Sequence, residues 1–290
     1  MITECEAIKS RDNARLKAAK KIRDKSSERR KTGLFFAEGV KMTDEALAAG
    51  AVDTLILSES FFGKCTAPDR ENAEGRLIAE SGTNIVKALS DEGAFDKVNT
   101  TVLSDSLFND LADTVNPQGA AALVKKPSWR VTDEAFLNEA FKRDGYIKLL
   151  ITDGVQDPGN LGTMVRTAEA AGMTGIIMSR GTADIFNPKV VRSTMGSILR
   201  VPFFYVDDLG AAMEGLKALD IKIFSTHLKG KSYMNEVDYG NRCAVVIGNE
   251  ARGISDTAAD LCDVLVKIPM HGKVESLNAS IAAAIMMYRL

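Results

Sequence analysis

The sequence predicts an α/β protein: a C-terminal domain built on a mainly parallel sheet with helices on both faces, preceded by a smaller N-terminal α/β domain. From Lys148 onward the apolar runs "KLLITDG", "GIIMS", "PFFYV", "KIFST", "CAVVIG" and "VLVKIP" alternate with helical stretches. Strands apolar on both faces belong to a parallel sheet covered by crossover helices. A less regular alternation occupies the first 125 residues, and Pro127 in "KKPSW" separates the two patterns. The expected division is a first domain over 1–125, a linker over 126–145 with a short helix in "TDEAFLNEAFKRDG", and a second domain over 146–290.

"SRDNARLKAAKKIRDKSSERRKTG" opens with the capping residues Ser10 and Asp12 and stops at Gly33, which predicts one basic helix followed by a turn. Strand "LFFAEG", helix "VKMTDEALAAG" and strand "VDTLILS" follow, while "NIVKALSDE" and "AALVKKP" read as further short strand and helix pieces. In the second domain helices are predicted at "LGTMVRTAEAAG", "PKVVRSTMGSIL", "DLGAAMEGLKALD" and the apolar run at the end of the chain.

Hydrophobic residues make up 45% and charged residues 26% of the 290, the balance of an ordinary globular protein. No apolar stretch is long enough to span a bilayer and the start lacks an apolar signal core, so a cytoplasmic protein without membrane attachment is expected. Cys5, Cys65, Cys243 and Cys262 are scattered without CxxC spacing, and only His227 and His271 could assist them, so reduced thiols and no metal site are expected. The net charge of −2 conceals a polarised distribution: between Lys9 and Lys31, 11 basic residues face Asp12, Asp24 and Glu28. Such a segment suits a phosphate backbone, and a solvated helix face has the same charge.

Ligands of open parallel sheets bind beyond the carboxyl ends of the strands. Three loops leave such ends with unusual polar content. In "DGVQDPGNLGTMVRT", Asn160 has the chemistry of an N-cap, and Arg166 lies off the apolar stripe of Leu161, Met164, Val165 and Ala168, able to reach back over the loop. In "VVIGNEARGIS", Gly248 permits close approach of a ligand to the backbone, and Asn249, Glu250 and Arg252 crowd the next positions. In "IPMHGKVESLN", Ser276 is a second N-cap candidate and Asn278 precedes the last helix. No GxGxxG follows a strand, which argues against a dinucleotide-binding dehydrogenase.

In their order and spacing these three segments resemble the motifs of the SpoU branch of the SPOUT RNA methyltransferases, over essentially all of residues 148–290. The N-terminal part is similar, more loosely, to the RNA substrate-binding domain that often precedes that catalytic domain. The resemblance implies transfer of a methyl group from S-adenosylmethionine to a ribose 2'-hydroxyl of RNA, with ribosomal RNA of the large subunit as substrate and transfer RNA as the alternative; a fold retained for RNA binding without turnover is the other reading. It implies catalytic and substrate-site roles for Asn160, Arg166, Glu250, Ser276 and Asn278, and a donor pocket near Thr226, Gly248, Asn249, Ile268, Met270 and Leu277. Arg166 is implied in activating the hydroxyl, but a guanidinium seldom gives up its proton, and binding a phosphate beside the developing alkoxide is an equal reading. RNA contacts are expected from Arg11, Asn13, Arg15, Lys17, Lys20, Lys21, Arg23, Arg29 and Arg30.

The resemblance further implies a deep trefoil knot, which strand periodicity cannot reveal, and a homodimer through the C-terminal domain. The terminal helix is in keeping with the dimer. Ile281 to Tyr288 leave almost no polar face, with Met287 expected either at the contact or in the core.

Overall fold

The computed structural model describes residues 6–66, 82–89, 98–227 and 230–290. Cys5 and the end of the "NIVKALSDE" segment, from Ser90, lie outside them.

The basic stretch forms two helices, α1 (Ala14–Asp24) and α2 (Ser26–Thr32), and not one. Lys25 is extended between them (φ −117°, ψ 118°). The break is held by Arg29, only 4% exposed, whose Nη1 donates to the Ile22 and Arg23 carbonyls at 2.9 and 2.7 Å and so satisfies the open end of α1. Asn13 caps α1, its Oδ1 accepting from Arg15 and Leu16 N–H, an interaction worth about 1 kcal/mol. Gly33 ends α2 at φ 68°, a left-handed value that glycine adopts freely.

Next come β1 (Leu34–Glu38), α3 (Val40–Ala48), β2 (Val52–Ser58), α4 (Glu59–Thr66), α5 (Thr83–Leu89), β3 (Asn99–Leu103), α6 (Asp105–Leu111) and β4 (Ala120–Lys125). "NIVKAL" is thus helical and "AALVKK" a strand. The sheet order is β1-β4-β2-β3, with β4 antiparallel to both neighbours and β2 parallel to β3. Leu16, Ala19 and Ile22 of α1 are buried with Phe36, Ile56, Leu103, Leu107, Phe108 and Leu111, so the basic helix is amphipathic and its inner face is core.

The expected linker is structured. Helix α7 (Glu134–Asp144) buries Leu137, and Val131 before it lies in the core of the following sheet. The chain continues through β5 (Ile147–Asp153), α8 (Pro158–Ala170), β6 (Gly175–Ser179), α9 (Pro188–Thr194), a 3-10 turn at Ser197–Leu199, β7 (Phe203–Val206), α10 (Leu209–Ala218), β8 (Lys222–Thr226), β9 (Ser232–Tyr233), β10 (Arg242–Gly248), α11 (Asp256–Leu261), β11 (Val264–Lys267) and α12 (Ala279–Arg289). The sheet is parallel throughout, in the order β7-β6-β5-β10-β8-β11-β9. Leu149, Ile151, Ile177, Ala244 and Val246 are sealed on it by Leu137, Met213 and Leu216 from the helices.

Two compact units result. One takes the chain as far as Pro127 together with Phe186–Leu199, and the other takes Ser128–Ile185 with Arg200–Leu290. Helix α9 therefore folds with the first unit, not the second: it packs on β1, and the Phe186 ring lies 5.1 Å from that of Phe35. Cys65 and Cys243 are buried and Cys262 is half-buried. Among the described residues no helix is long and apolar enough to cross a membrane.

Candidate functional site

Strands β5 and β10 pair in parallel with Asp153 beside Gly248, so the loops that leave them start side by side. Asn249 Nδ2 donates to the Gly154 carbonyl at 2.8 Å, and Asp153 Oδ2 accepts from Ser255 N–H at 2.7 Å, tying the second loop to the first strand. The second loop closes on itself, since Asn249 and Gly253 exchange both backbone hydrogen bonds at 2.9 Å. Asn249 Oδ1 also accepts from the N–H groups of Ala251 and Arg252.

This closure changes the meaning of Gly248. A Cβ there would lie 2.1 Å from the Gly253 carbonyl carbon and 2.2 Å from the Ile254 nitrogen. What approaches Gly248 is the backbone of its own loop, and this self-contact by itself requires the glycine.

Glu250 sits at the tip of the loop and gathers the first motif. Its Oε1 accepts from Asp157 N–H and from Asn160 Nδ2, both at 3.0 Å, and its Oε2 from Gln156 N–H at 3.1 Å. Burial raises its pKa, but the bonds from Asn160 and from the backbone of Gln156, Glu250 and Asp157 outweigh it and hold the carboxyl below its ordinary value. Asn160, 9% exposed, turns its other side-chain atom to the third motif, Oδ1 accepting from Asn278 Nδ2 at 3.0 Å. Glu250, Asn160 and Asn278 thus form one hydrogen-bonded chain across three loops far apart in sequence.

The cap assignments move. Asp157, not Asn160, caps α8, with Oδ1 accepting from Asn160 N–H at 2.8 Å and Pro158 in the first turn. Asn278, not Ser276, caps α12, its Oδ1 accepting from the N–H groups of Ser280 and Ile281. The predicted candidates separate accordingly. Arg166 projects from α8 into solvent and has no hydrogen-bond or ion-pair partner among the described residues; Ser276 is exposed likewise. Asp157 and Asp153 were missed by sequence reasoning. The Asp-Pro step at the start of α8 was a legible signal for the first, whereas the second depends on strand register.

A relative similar in sequence along its whole length is the 23S rRNA (guanosine(2553)-2'-O)-methyltransferase RlmP of Bacillus subtilis (strain 168), 31% identical over 283 residues and covering 98% of each chain. The SpoU rRNA Methylase family model matches residues 148–288. The chain belongs to the SpoU family. An MRM3-like substrate binding domain model matches residues 13–122. Two solved structures that contain S-adenosylmethionine are similar at 25% identity: the SpoU methyltransferase AviRb from Streptomyces viridochromogenes (TM-score 0.75, 96% of each chain) and an rRNA methyltransferase from Sinorhizobium meliloti (TM-score 0.76, 98% of this chain and 96% of that one).

The SpoU donor-pocket candidates lie at one end of the sheet. Thr226 ends β8 and pairs with Val266 of β11, Gly248 ends β10, and Ile268 follows β11. Ile268 and Leu277 are half-buried and Met270 is 37% exposed. Between β11 and α12 the residues form neither strand nor helix, so their amides and carbonyls are not consumed by a ladder and can read the edge of an adenine. The fit to S-adenosylmethionine rests on this open backbone between two apolar side chains.

The basic segment is sorted by its geometry. Asn13 is a cap, Arg29 is buried, and Arg23 donates to the Leu111 and Ala112 carbonyls at 2.6 and 3.1 Å, closing the end of α6. These three serve the fold, although their charge or polarity led the sequence reading to RNA. Arg11 and Lys17 make exposed ion pairs with Asp110 and Asp12. Arg15, Lys21 and Arg30 are exposed and Lys20 half-buried on the outer faces of α1 and α2.

Proposed function

We propose that this protein transfers a methyl group from S-adenosylmethionine to a ribose 2'-hydroxyl of large-subunit ribosomal RNA in the cytoplasm. The observation that carries the reading is the Glu250–Asn160–Asn278 chain, which locks three motif loops together at the carboxyl edge of the sheet. Full-length similarity to a 23S rRNA 2'-O-methyltransferase supports the substrate class.

The donor, when bound, supplies a methyl group on a sulfonium leaving group. The protein has to align the hydroxyl oxygen and stabilise the charge that develops on it. A guanidinium keeps its proton in proteins, so Arg166 acts as a fixed cation that holds an RNA phosphate and the developing alkoxide, with the proton passing to solvent. Its lack of a hydrogen-bond or ion-pair partner among the described residues suits that role. Glu250 and Asn160 hold the start of α8, the helix that carries Arg166.

We infer a homodimer through the second unit, and the knot implied by the family. Insertion of β10 between β5 and β8 supports the knot. Met287 is 1% exposed and belongs to the core, the second of the two places expected for it; Ile281 at 50% and Tyr288 at 68% exposure are the apolar residues that α12 leaves open for a second copy. Ile281→Glu should dissociate the dimer in sedimentation, and a variant that sediments as wild type would exclude this face.

Incubation with labelled donor and fractionated cellular RNA tests the activity. Label confined to large ribosomal RNA, mapped to a 2'-O-methyl nucleotide, is expected; label in transfer RNA alone, or RNA binding without label, would overturn the proposal.

A further inference from the structure

The first unit contains a cavity of about 490 Å³ that the methyl-transfer chemistry does not use. That volume lies in the range of roughly 300–1,000 Å³ typical of small-molecule sites. Its polar centre is Glu38, 6% exposed. Glu38 Oε2 accepts from Asp113 N–H at 2.7 Å and Oε1 from the Thr114 hydroxyl, which uses two of the carboxylate's four acceptor positions. The wall beside it needs a glycine, since Gly39 has φ 104° and a Cβ there would lie 3.2 Å from Gln118 Oε1. Gln118 spends that oxygen on Val40 N–H at 2.9 Å, leaving its amide hydrogens with no partner among the described residues. Lys41 and Arg192 add cationic groups to the lining, Arg192 being paired with Asp113.

Met195 is the feature a packing account does not explain. It holds a left-handed backbone (φ 51°, ψ 39°) at the end of α9, a conformation suited to glycine or asparagine, and its side chain lines the cavity while remaining 46% exposed. A strained backbone that presents an apolar, polarisable side chain to a cavity is characteristic of a binding position. Met42 lines the same cavity.

We propose that this cavity receives one unpaired nucleotide of the RNA substrate, its base lying against Met42 and Met195 and its edge donating to the Glu38 carboxylate. Sequence-specific RNA recognition uses splayed bases that are stacked and hydrogen-bonded at their edges. The base whose pairing edge offers two adjacent N–H donors beside an acceptor is guanine, matching a carboxylate next to a side-chain amide. The proposal rests on the RNA methyltransferase reading for its substrate and specifies how the first unit selects within it.

The test has two arms on the full chain. In the first, peroxide oxidation of Met195 is followed by peptide mass while single-stranded uridine hexamers with uridine, guanosine, adenosine or cytidine at one central position are added. The guanosine hexamer should slow oxidation about fivefold more than the uridine, adenosine or cytidine hexamer. Equal effects of all four, or none, would overturn the proposal. In the second, Glu38→Gln and Lys41→Ala are assayed for methyl transfer, with donor affinity measured by calorimetry. An RNA KM raised about tenfold with donor affinity retained is expected, and wild-type KM in both variants would refute the site. Wild-type protein that labels no RNA yet shows guanosine-specific protection of Met195 would leave the pocket standing and remove the methyltransferase reading instead.

Discussion

Asn160 stands between Glu250 and Asn278, donating to the one and accepting from the other at 3.0 Å each, so a single buried amide fixes two loops against each other. Glu250→Ala would leave Asn160 Nδ2 and two backbone N–H groups without their acceptor. Of these only the Asn160 donor is buried, at 9% exposure, and an unsatisfied buried donor costs about 1–3 kcal/mol, while the exposed Gln156 and Asp157 N–H groups can turn to water. The variant should melt at lower temperature and lose about a hundredfold in methyl transfer, whereas Glu250→Gln, which keeps one oxygen, should lose less in both assays.

Acidification should reproduce part of that loss. The folded-state pKa of Glu250 is depressed, so its stabilising contribution is complete above the ordinary glutamate value near 4.3. It disappears as pH falls through the lowered value. The difference in melting temperature between wild type and Glu250→Gln should therefore be constant from pH 7 to about 5, narrow as pH falls below the ordinary glutamate value, and close only below the lowered one. A gap that persists undiminished to the lowest pH at which wild type stays folded would show that the carboxylate's charge is not what holds the loop.

Arg166→Ala should separate catalysis from stability. The side chain is exposed and has no internal partner among the described residues, and such substitutions change stability by about 0.5 kcal/mol or less. Methyl transfer should fall by about 10²-fold or more at saturating donor, with donor affinity near wild type by calorimetry.

Gly248→Val and Gly253→Ala provide a paired test of the loop. At Gly248 a side chain meets backbone at 2.1 Å, and unfolding of the loop, seen as a large drop in melting temperature, is expected. Gly253 has φ 72° and nothing within 4 Å of an added Cβ, so Ala should cost about 1 kcal/mol through backbone strain alone.

Alanine at Arg15, Lys21 or Arg30 should weaken RNA binding and lower the slope of log K against log salt by about 1 per lost phosphate contact. Arg29→Ala should instead destabilise the fold, because its guanidinium is 4% exposed and satisfies the Ile22 and Arg23 carbonyls. Equal salt slopes for wild type and the three exposed variants would reduce the segment to a solvated face.

Much of the second unit was legible in the sequence because a strand such as Arg242–Gly248, buried on both faces, has one apolar pattern and one architecture that suits it. The motif loops were legible as clusters of polar residues at strand ends. Their internal roles were not: whether Asn160 or Asp157 caps α8 depends on one hydrogen bond, and the reason for Gly248 lies in the return path of its own loop. Arg23 and Arg29 illustrate the limit of charge reading, since a guanidinium that caps helix carbonyls has the same formal charge as one that waits for phosphate. In the first unit β3 and α6 were missed because "NTTVLSDSLFNDL" is too short and mixed to show either period.

Because Phe186–Leu199 folds with β1 although chain of the other unit flanks it on both sides, the two units are not modular in the genetic sense. A fragment starting at Ser128 would carry α9 without its β1 partner, and a fragment ending at Pro127 would leave Phe35 without Phe186. Exchange of substrate-binding parts between relatives by a single crossover near Pro127 would therefore combine a foreign β1 with the resident α9. Chimeras should retain solubility only when the Phe186–Leu199 segment travels with the N-terminal half, which makes RNA selection and the interior of the catalytic sequence a jointly inherited trait.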